Sequence, residues 1–173
     1  EIGSFAGASA ASFVKYCPSA IIYCLDINLT NFKFISKNIK VFGLDVSQKS
    51  MISKFYKKIK ISNETQYFDI IIDDGSHKLS DIIISLNTFF KNLRAGGLYI
   101  LEDFKFPNYH PHLDDCSEKK IDEILSYIKN KKKFSSNILT DETILYILNF
   151  TEEVFQYRGL KKNSDIAFIK KLN

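Results

Sequence analysis

The sequence predicts an α/β protein with a mainly parallel sheet. Short apolar runs alternate with segments in which apolar residues recur every three or four positions, the spacing of amphipathic helices. The most informative run lies at residues 68–77, where three isoleucines, typical of a strand buried on both faces, break abruptly into Asp-Asp-Gly-Ser-His. Near the end of the chain, two alternating runs joined through residues 159–164 predict a β-hairpin. One strand of the sheet should therefore run antiparallel to its neighbours.

The same patterns divide the whole chain into elements. Strands are expected at residues 20–25, 40–44, 67–72, 98–101, 153–157 and 165–170. Helices are expected at residues 10–16, 29–40, 47–61, 79–93, 118–131 and 140–149. Residues 62–66 should form a polar connection, residues 94–97 a helix end and turn, and residues 104–117 an irregular loop. Aromatic and histidine side chains in that loop are typical of a lid or an acceptor-binding loop.

Length and composition are those of one folded domain. A chain of 173 residues with 45% hydrophobic residues can bury a full core, so we expect a single domain over residues 1–173. The chain begins with Glu1 at what reads as the last positions of a strand, and we therefore expect its natural N-terminal part to be missing. No apolar stretch is long enough to span a bilayer and no signal peptide opens the chain, which predicts a soluble cytoplasmic protein.

Charge and cysteine content narrow the class of partner. The net charge of +4 comes from lysines spread along the chain, which is typical of solvated helix faces and loops. We therefore expect neither nucleic acid nor membrane as a partner, and a homo-oligomer is left open. The three cysteines have no paired spacing, so they predict reduced thiols without a structural zinc.

Carboxylates follow two consecutive strands of the predicted parallel sheet. Asp73 and Asp74 end the first strand, three residues before His77, and Glu102 and Asp103 end the second. Ligands collect beyond the carboxyl ends of parallel strands, so these two ends should face each other across one site. The alternative for residues 73–77 is a tight turn and an N-cap for the next helix.

A loop with Gly3 and Gly7 joins the first strand end to the first helix, which is how α/β proteins bring backbone close to a ligand. The two glycines are four positions apart, so they do not form the dinucleotide fingerprint. Asp26 ends the next strand and is placed to accept hydrogen bonds from ribose hydroxyls, or else to cap a helix. Asp45 ends the third strand, either near an adenine ring or as a turn residue.

The order of these parts resembles the class I S-adenosylmethionine-dependent methyltransferases, and more narrowly the metal-dependent sugar O-methyltransferases of the mycinamicin and macrocin type. Three motifs carry the resemblance: Glu-x-Gly-x-Phe-x-Gly-x-Ser at residues 1–9, Asp-Asp-Gly-Ser-His at residues 73–77, and Gly-Gly-Leu-Tyr-Ile before Glu-Asp at residues 96–103. The resemblance implies a Rossmann-like seven-stranded sheet in the order 3-2-1-4-5-7-6 with an antiparallel C-terminal hairpin. It covers nearly the whole chain.

The resemblance also implies a role for each motif residue. It assigns Mg²⁺ to Asp74, Glu102 and Asp103, and it makes His77 the general base, so that His77 and Asp74 are the catalytic residues. The S-adenosylmethionine contacts then fall to Glu1, Gly3, Ser4, Phe5 and Gly7 at the methionine end, Asp26 and Ile27 at the ribose, Asp45 and Val46 at the adenine, and Asp73 as a donor-side or structural acid. Ala8 departs from the pattern, because a second glycine is common there, and this should narrow the loop.

The implied chemistry agrees with the residue types. A sulfonium is already a reactive methyl donor, so the enzyme must align it with the acceptor and help a weakly acidic sugar hydroxyl lose its proton. Carboxylates suit a hard cation such as Mg²⁺. We therefore expect an O-methyltransferase that acts on a sugar or a glycosylated small molecule. The alternatives are a non-catalytic nucleoside-binding subunit, which would bind the donor without turnover, and a Rossmann-type oxidoreductase, which would bind a nicotinamide cofactor.

Overall fold

The computed structural model describes residues 1–61, 67–161 and 163–173. The chain forms two compact units, Glu1–Thr65 and Gln66–Asn173. The polar connection expected at residues 62–66 lies outside the described residues, as does residue 162 of the predicted hairpin loop. None of the helices in the described ranges is long and apolar enough to cross a membrane.

The first unit is built on two parallel strands. Its elements are α1 (Ala8–Tyr16), β1 (Ile22–Asp26), β2 (Ile39–Gly43) and α2 (Lys49–Ile61). The strands pair from Ile22 opposite Ile39 to Asp26 opposite Gly43. Ile2 forms an isolated parallel bridge with Leu25, which sets the start of the glycine loop beside the carboxyl end of β1. The glycine loop therefore lies next to Asp26.

The helix expected at residues 29–40 is absent, and that prediction was wrong. A single 3₁₀ turn covers Leu29–Asn31, and Phe32 is already extended, with ψ 124°. Asn28 and Ser36 offer side-chain oxygens to the backbone amides of Thr30 (3.0 Å) and Asn38 (3.2 Å), which competes with helical hydrogen bonding. Phe32 also packs against the apolar cluster of the unit, and this burial favours the extended path.

The second unit is a four-stranded mixed sheet with helices. Its elements are β3 (Phe68–Asp73), α3 (Leu79–Phe89), β4 (Leu93–Glu102), α4 (Phe106–Tyr109), α5 (Ile121–Lys129), α6 (Asp141–Phe150), β5 (Thr151–Arg158) and β6 (Asp165–Lys171). The strand order is β3-β4-β6-β5, with β3 parallel to β4 and β6 antiparallel to both of its neighbours. The predicted antiparallel hairpin is therefore present as β5 and β6.

Amphipathic spacing explains the helices of this unit. The residues that α3 buries recur at the helical interval: Leu79, Ile82, Ile83, Leu86 and Phe89. A 3₁₀ turn at Phe90–Asn92 ends this segment, so the helix predicted at residues 79–93 is shorter than expected. In α6, the hydroxyl of Thr140 accepts the backbone N–H of Thr143 at 3.1 Å and so satisfies one of the free amides of the first turn.

Two details of β3 and β4 differ from the sequence prediction. Residues 94–97 are not a turn, because β4 already begins at Leu93. Between the pairs Phe68–Leu93 and Ile70–Leu98, β3 advances by two residues and β4 by five, so β4 carries a bulge there. Ile70 is 49% exposed although Ile71 and Ile72 are buried. Burial on both faces is thus confined to the half of β3 that leads into the carboxylates.

The observed strand pairings agree with parts of the order 3-2-1-4-5-7-6. In that numbering the second unit reads 4-5-7-6, and β1 with β2 reads 2-3. The complete seven-stranded order and the single domain stay predictions.

Candidate functional site

The parallel register of β3 and β4 brings their carboxyl ends to one edge of the sheet. Asp73, the last residue of β3, pairs with Leu101, one residue before the end of β4. Because the pair is parallel, the residues that follow both strands emerge on the same side of this edge. The loop that begins at Asp74 and the loop that begins at Asp103 are therefore adjacent.

These two loops bring Asp74, His77 and Asp103 together. One donor atom from each side chain lies within 4.8 Å of the other two, and all three residues are half-buried. His77 Nε2 is 3.6 Å from Asp74 Oδ1. The two carboxylates on this partly open face can hold a hard divalent cation, with the imidazole beside it, while leaving room for oxygens of another molecule. The donor set therefore fits a cation site.

The backbone at this cluster is strained. His77 has φ 57° and Asp103 has φ 49°, the left-handed region that side chains with a Cβ atom disfavour. Each such residue costs on the order of 1–3 kcal/mol, and such residues concentrate at active sites. His77 and Asp103 thus have a backbone conformation that lowers stability.

Ser76 is the residue that makes the turn and capping contacts expected under the alternative for residues 73–77. Its Oγ accepts the backbone N–H of Lys78 at 3.3 Å and bonds to Asp81 Oδ2 at 2.5 Å. The residue that precedes α3, Lys78, makes no side-chain capping bond. Asp73 Oδ1 accepts the Gly75 amide at 3.3 Å, which is a turn contact. The turn and N-cap interpretation therefore accounts for these contacts of Asp73 and Ser76.

His77 is held in an environment that favours the neutral imidazole. Burial lowers the pKa of His77, although the charges of Asp103 and Glu102 and a hydrogen bond to the Glu102 backbone act in the opposite direction. Its ring lies 4.8 Å from the ring of Phe106, whose own ring is 5.3 Å from that of His110. A neutral imidazole with a fixed ring plane can accept a proton.

The structure groups His77, and not Glu102, with the two aspartates. The Glu102 side chain is exposed, and its backbone bonds to His77. The assignment of a cation to Glu102 stays a prediction. The sequence could not choose among Asp74, Glu102, Asp103 and His77, because the choice depends on the left-handed turns at His77 and Asp103.

Asp73 is buried beneath this cluster, with 5% of its surface exposed. Burial raises the pKa of Asp73 to about 7, and the nearby Ser85 hydroxyl and the Gly75 amide oppose that rise. Ser85 Oγ lies 2.8 Å from the hydroxyl of Tyr99 on β4. Asp73 Oδ2 is buried and has no hydrogen-bond partner among the described residues, so both roles, donor-side and structural, stay predictions.

In the first unit, Asp26 is bonded to the glycine loop. Its Oδ2 accepts the backbone N–H of Phe5 at 2.7 Å, and its Oδ1 accepts that of Asn28 at 2.8 Å. Asn28, rather than Asp26, caps the following 3₁₀ turn. The helix-cap alternative for Asp26 therefore does not apply, and each carboxylate oxygen keeps acceptor capacity for a hydroxyl.

The glycine loop has the left-handed backbone conformations that glycine allows. Gly3 and Gly7 have φ 82° and 78°, and a Cβ on Gly7 would lie 2.6 Å from the ring of Phe32. Phe5 is also left-handed, at φ 41°, and its side chain is 64% exposed. Ser4 is buried. The Glu1 carboxylate accepts the Ser9 hydroxyl, which joins the start of the loop to α1.

Among the predicted adenine contacts, Asp45 acts as a turn residue. Its Oδ1 accepts the N–H and hydroxyl of Ser47 at 2.9 and 2.7 Å, and its Oδ2 accepts the Gln48 amide at 2.9 Å. The Ser47 hydroxyl lowers the pKa of Asp45. The turn alternative thus describes these contacts, while Val46 is half-buried and Ile27 is 75% exposed.

Sequence reasoning missed two residues that organise the second unit's site. Phe106 contacts His77, as described above, and Asp115 accepts the backbone N–H and hydroxyl of Ser80 at 2.9 and 2.6 Å. Asp115 therefore caps the first turn of α3 from a loop 35 residues away. Neither contact has a local signal, since each joins segments that are distant in sequence.

No protein-family model matches the chain. Among curated proteins, it is 32% identical over 107 residues to L-olivosyl-oleandolide 3-O-methyltransferase of Streptomyces antibioticus, a match that covers 61% of this chain and 25% of that protein. It is 32% identical over 76 residues to mycinamicin VI 2''-O-methyltransferase of Micromonospora griseorubida, which covers 37% of this chain and 19% of the relative. The chain thus spans a quarter or less of these relatives.

Solved structures show the same fold. The methyltransferase MycE of the mycinamycin biosynthetic pathway, in complex with Mg, SAH and mycinamycin VI, superposes with a TM-score of 0.68 at 21% identity, covering 96% of this chain and 40% of MycE. A putative ribosomal RNA methyltransferase from Plasmodium falciparum gives a TM-score of 0.61 at 14% identity, covering 99% of this chain and 83% of that one. The chain has the Rossmann-like α/β fold of methyltransferases, and its resemblance to the sugar O-methyltransferases is confirmed.

Proposed function

We propose that this chain is the catalytic part of an S-adenosylmethionine-dependent O-methyltransferase that methylates a hydroxyl of a sugar or glycosylated small molecule. The observation that carries the proposal is the cluster of Asp74, His77 and Asp103, whose donor atoms lie within 4.8 Å of one another. The curated relatives, which are named as O-methyltransferases of glycosylated natural products, support the same activity.

In the proposed reaction, Asp74 and Asp103 hold Mg²⁺, and Glu102 stays a further candidate ligand. When bound, the cation stabilises the negative charge that develops on the acceptor oxygen. MycE, solved with Mg and SAH, supports both cofactors. The carboxylates orient the acceptor hydroxyl relative to His77, which accepts its proton. A positioned general base typically contributes about 10²- to 10⁴-fold in rate.

The first unit supplies the donor contacts in this proposal. Asp26 accepts hydrogen bonds from the ribose hydroxyls, while Gly3, Ser4, Phe5 and Gly7 form the loop at the methionine end with Glu1. Ile27 lies with Asp26 at the ribose, and Asp45 and Val46 lie at the adenine. The seven-stranded order 3-2-1-4-5-7-6 belongs to the same proposal, because it is the sheet on which methyltransferases of this class bind the donor.

The decisive experiment measures methyl transfer and donor binding separately. Transfer from labelled S-adenosylmethionine to a panel of glycosides should require Mg²⁺ and should stop when EDTA is added. Calorimetry should detect S-adenosylhomocysteine binding, and Asp26→Ala should weaken it about 10- to 100-fold, the loss of one or two hydrogen bonds to a charged acceptor.

The outcomes separate the proposal from its alternatives. Full activity in EDTA would remove the cation from the reaction, and an unchanged S-adenosylhomocysteine affinity in Asp26→Ala would remove the ribose contact. Donor binding without transfer to any glycoside would favour the non-catalytic subunit. Binding of a nicotinamide cofactor in place of S-adenosylhomocysteine would favour the oxidoreductase.

A further inference from the structure

A polar pocket lies at the edge of the second unit's sheet and is not part of the cluster described above. Its volume is about 430 Å³, in the range of small-molecule sites, roughly 300–1,000 Å³. The lining residues are Phe104, Lys105, Tyr109, Gln156, Tyr157, Arg158 and Asp165. They come from the segment after β4 that includes α4, the end of the edge strand β5 and the start of β6.

The register places this pocket beside the candidate cation cluster. Glu102 pairs with Ile166, so Asp165 and Asp103 are each one residue from this last pair of the ladder. Phe104 and Lys105, which line the pocket, directly follow Asp103 in the chain. The pocket and the cluster therefore lie at the same edge of the sheet.

Three charged side chains line the pocket: Lys105, Arg158 and Asp165. Asp165, which is 3% exposed, accepts the Tyr109 hydroxyl on Oδ2 at 2.8 Å, and its Oδ1 lies 3.8 Å from Lys105 Nζ. Both of its oxygens are thus engaged. Arg158 is opposite Asp165 in the strand register, yet in the described part of the chain it forms no ion pair. Of the two cations that line the pocket, Lys105 is paired with Asp165, and Arg158 is the one without an ion pair among the described residues.

Gln156 is the polar neighbour of Arg158 on β5. Side chains alternate along a strand, so Gln156 and Arg158 lie on one face of β5, while Tyr157 lies on the other with Phe155 and Phe168, their ring centroids 6.5 and 6.0 Å away. Gln156 adds an amide that can donate and accept. Guanidinium groups bind carboxylate and phosphate with two parallel hydrogen bonds.

We propose that this pocket binds an anionic substituent, a carboxylate or a phosphate ester, on the glycosyl group of the acceptor, and that Arg158 is its anion contact. The proposal rests on the proposed function for the identity of the acceptor. The binding itself requires neither the methyl donor nor the cation, because the pocket residues are distinct from Asp74, His77 and Asp103.

The test is a ligand titration followed by NMR, in EDTA and without donor. The probes are methyl glucoside, methyl glucuronide and glucose 6-phosphate, which share a ring and differ in charge. At least one anionic probe should bind the natural chain tenfold or more tighter than methyl glucoside, and the tighter anion identifies the source of the charge. Arg158→Gln should reduce that preference to twofold or less, and Arg158→Lys should retain part of it.

The chain's other arginine supplies a matched control. Arg94 lies in β4 and pairs with Asp69 at 2.7 Å, away from the pocket residues in sequence and contacts. Arg94→Gln removes the same formal charge and should leave the preference for the anionic probe intact. A preference that survives Arg158→Gln, or that Arg94→Gln abolishes to the same extent, would overturn the assignment to Arg158.

Two further outcomes would also overturn the proposal: equal affinities for all three probes, or binding of acetate or inorganic phosphate as tight as that of the sugar anions. Methyl transfer plays no part in this measurement. If no methyl transfer is found, the anion preference still stands or falls by itself, and if the preference is absent, the methyltransferase proposal is still open to its own test.

Discussion

His77 shows what a single residue contributes at the candidate site. Its φ of 57° is disfavoured for any residue with a Cβ, while burial lowers its pKa and Phe106 fixes its ring. A residue chosen for stability alone would be glycine at this backbone conformation. The side chain that is present is instead the one that can accept a proton.

Replacing His77 should separate activity from stability. His77→Ala and His77→Gly should both lose about 10²- to 10⁴-fold in kcat, because both remove the proposed base. The free energy of unfolding should be about 1 kcal/mol higher for His77→Gly than for His77→Ala, because glycine relieves the strain of the left-handed backbone. Methyl-transfer assays and urea denaturation measure the two effects; kcat within threefold of the natural chain in His77→Ala would rule out the base.

Asp45 is a residue whose contacts favour a structural role, and this has a pH signature. Its pKa is lowered by the Ser47 hydroxyl, so its stabilising contribution is present above the unfolded pKa, about 4, and is lost as pH falls through the lower folded value. Asp45→Ala should lower the free energy of unfolding by about 0.5–1 kcal/mol at pH 7, and the difference from the natural chain should shrink by pH 2–3.

Denaturant titrations at the two pH values measure this effect, with S-adenosylhomocysteine affinity as the second readout. Asp45→Asn, which keeps an acceptor for the Ser47 amide, is the matched control and should lose less stability. A large loss of S-adenosylhomocysteine affinity in Asp45→Ala, with stability unchanged, would instead support the adenine contact.

At the scale of elements, the bulge in β4 explains why two glycines occur where a turn was expected. A Cβ on Gly97 would lie 2.8 Å from Leu93 Cγ and 2.9 Å from the Asp69 carbonyl oxygen, so β3 and β4 approach too closely for any side chain. Gly96 has φ 70°. The bulge resets the register so that Ile72 and Asp73 pair with Ile100 and Leu101 at the site edge.

Gly97→Ala should therefore destabilise the sheet, by about 1–3 kcal/mol, the usual cost of forcing extra atoms into a packed region. Gly43→Ala in β2 is a control, since its Cβ would meet Leu29 Cδ1 at 3.5 Å, an ordinary contact. Thermal unfolding should show a clear drop in Tm for the first variant and a small change for the second. Equal Tm values for the two variants would mean that β3 and β4 can move apart at Gly97 without loss of stability.

At the scale of the whole molecule, the two compact units carry different parts of the proposed reaction. Apart from Asp73, the predicted donor contacts fall in Glu1–Thr65, and the cation and base residues fall in Gln66–Asn173. Each unit has its own apolar cluster or sheet. A substitution in one unit should therefore impair one ligand and spare the other.

This division predicts a double dissociation. Asp26→Ala should weaken S-adenosylhomocysteine while leaving Mn²⁺ binding, measured by electron paramagnetic resonance as a probe for Mg²⁺, within twofold of the natural chain. Asp103→Asn should weaken Mn²⁺ tenfold or more and spare S-adenosylhomocysteine. Loss of both ligands in either variant, with an unchanged circular dichroism spectrum, would contradict independent sites.

Most elements could be predicted from the sequence because their apolar periodicity is local. The strands at β1, β2, β3 and the hairpin, and helices α1, α2, α5 and α6, fall close to their expected positions. The error at residues 29–40 has a physical cause: side-chain caps and the burial of Phe32 outweigh a helical pattern. The bulge at residues 94–97 could not be predicted from the sequence, because it depends on how closely β3 approaches β4.

By itself, the sequence determined the fold class, the carboxylates at the strand ends and the resemblance to sugar O-methyltransferases. These features are encoded by consecutive residues. The tertiary structure decided which of those side chains meet. Left-handed turns at His77 and Asp103 bring these residues to Asp74, Asp26 bonds to Phe5, and Asp165 is occupied by Tyr109 and Lys105, which leaves Arg158 unpaired within the described structure. Such choices depend on contacts between segments far apart in the chain, and no local pattern encodes them.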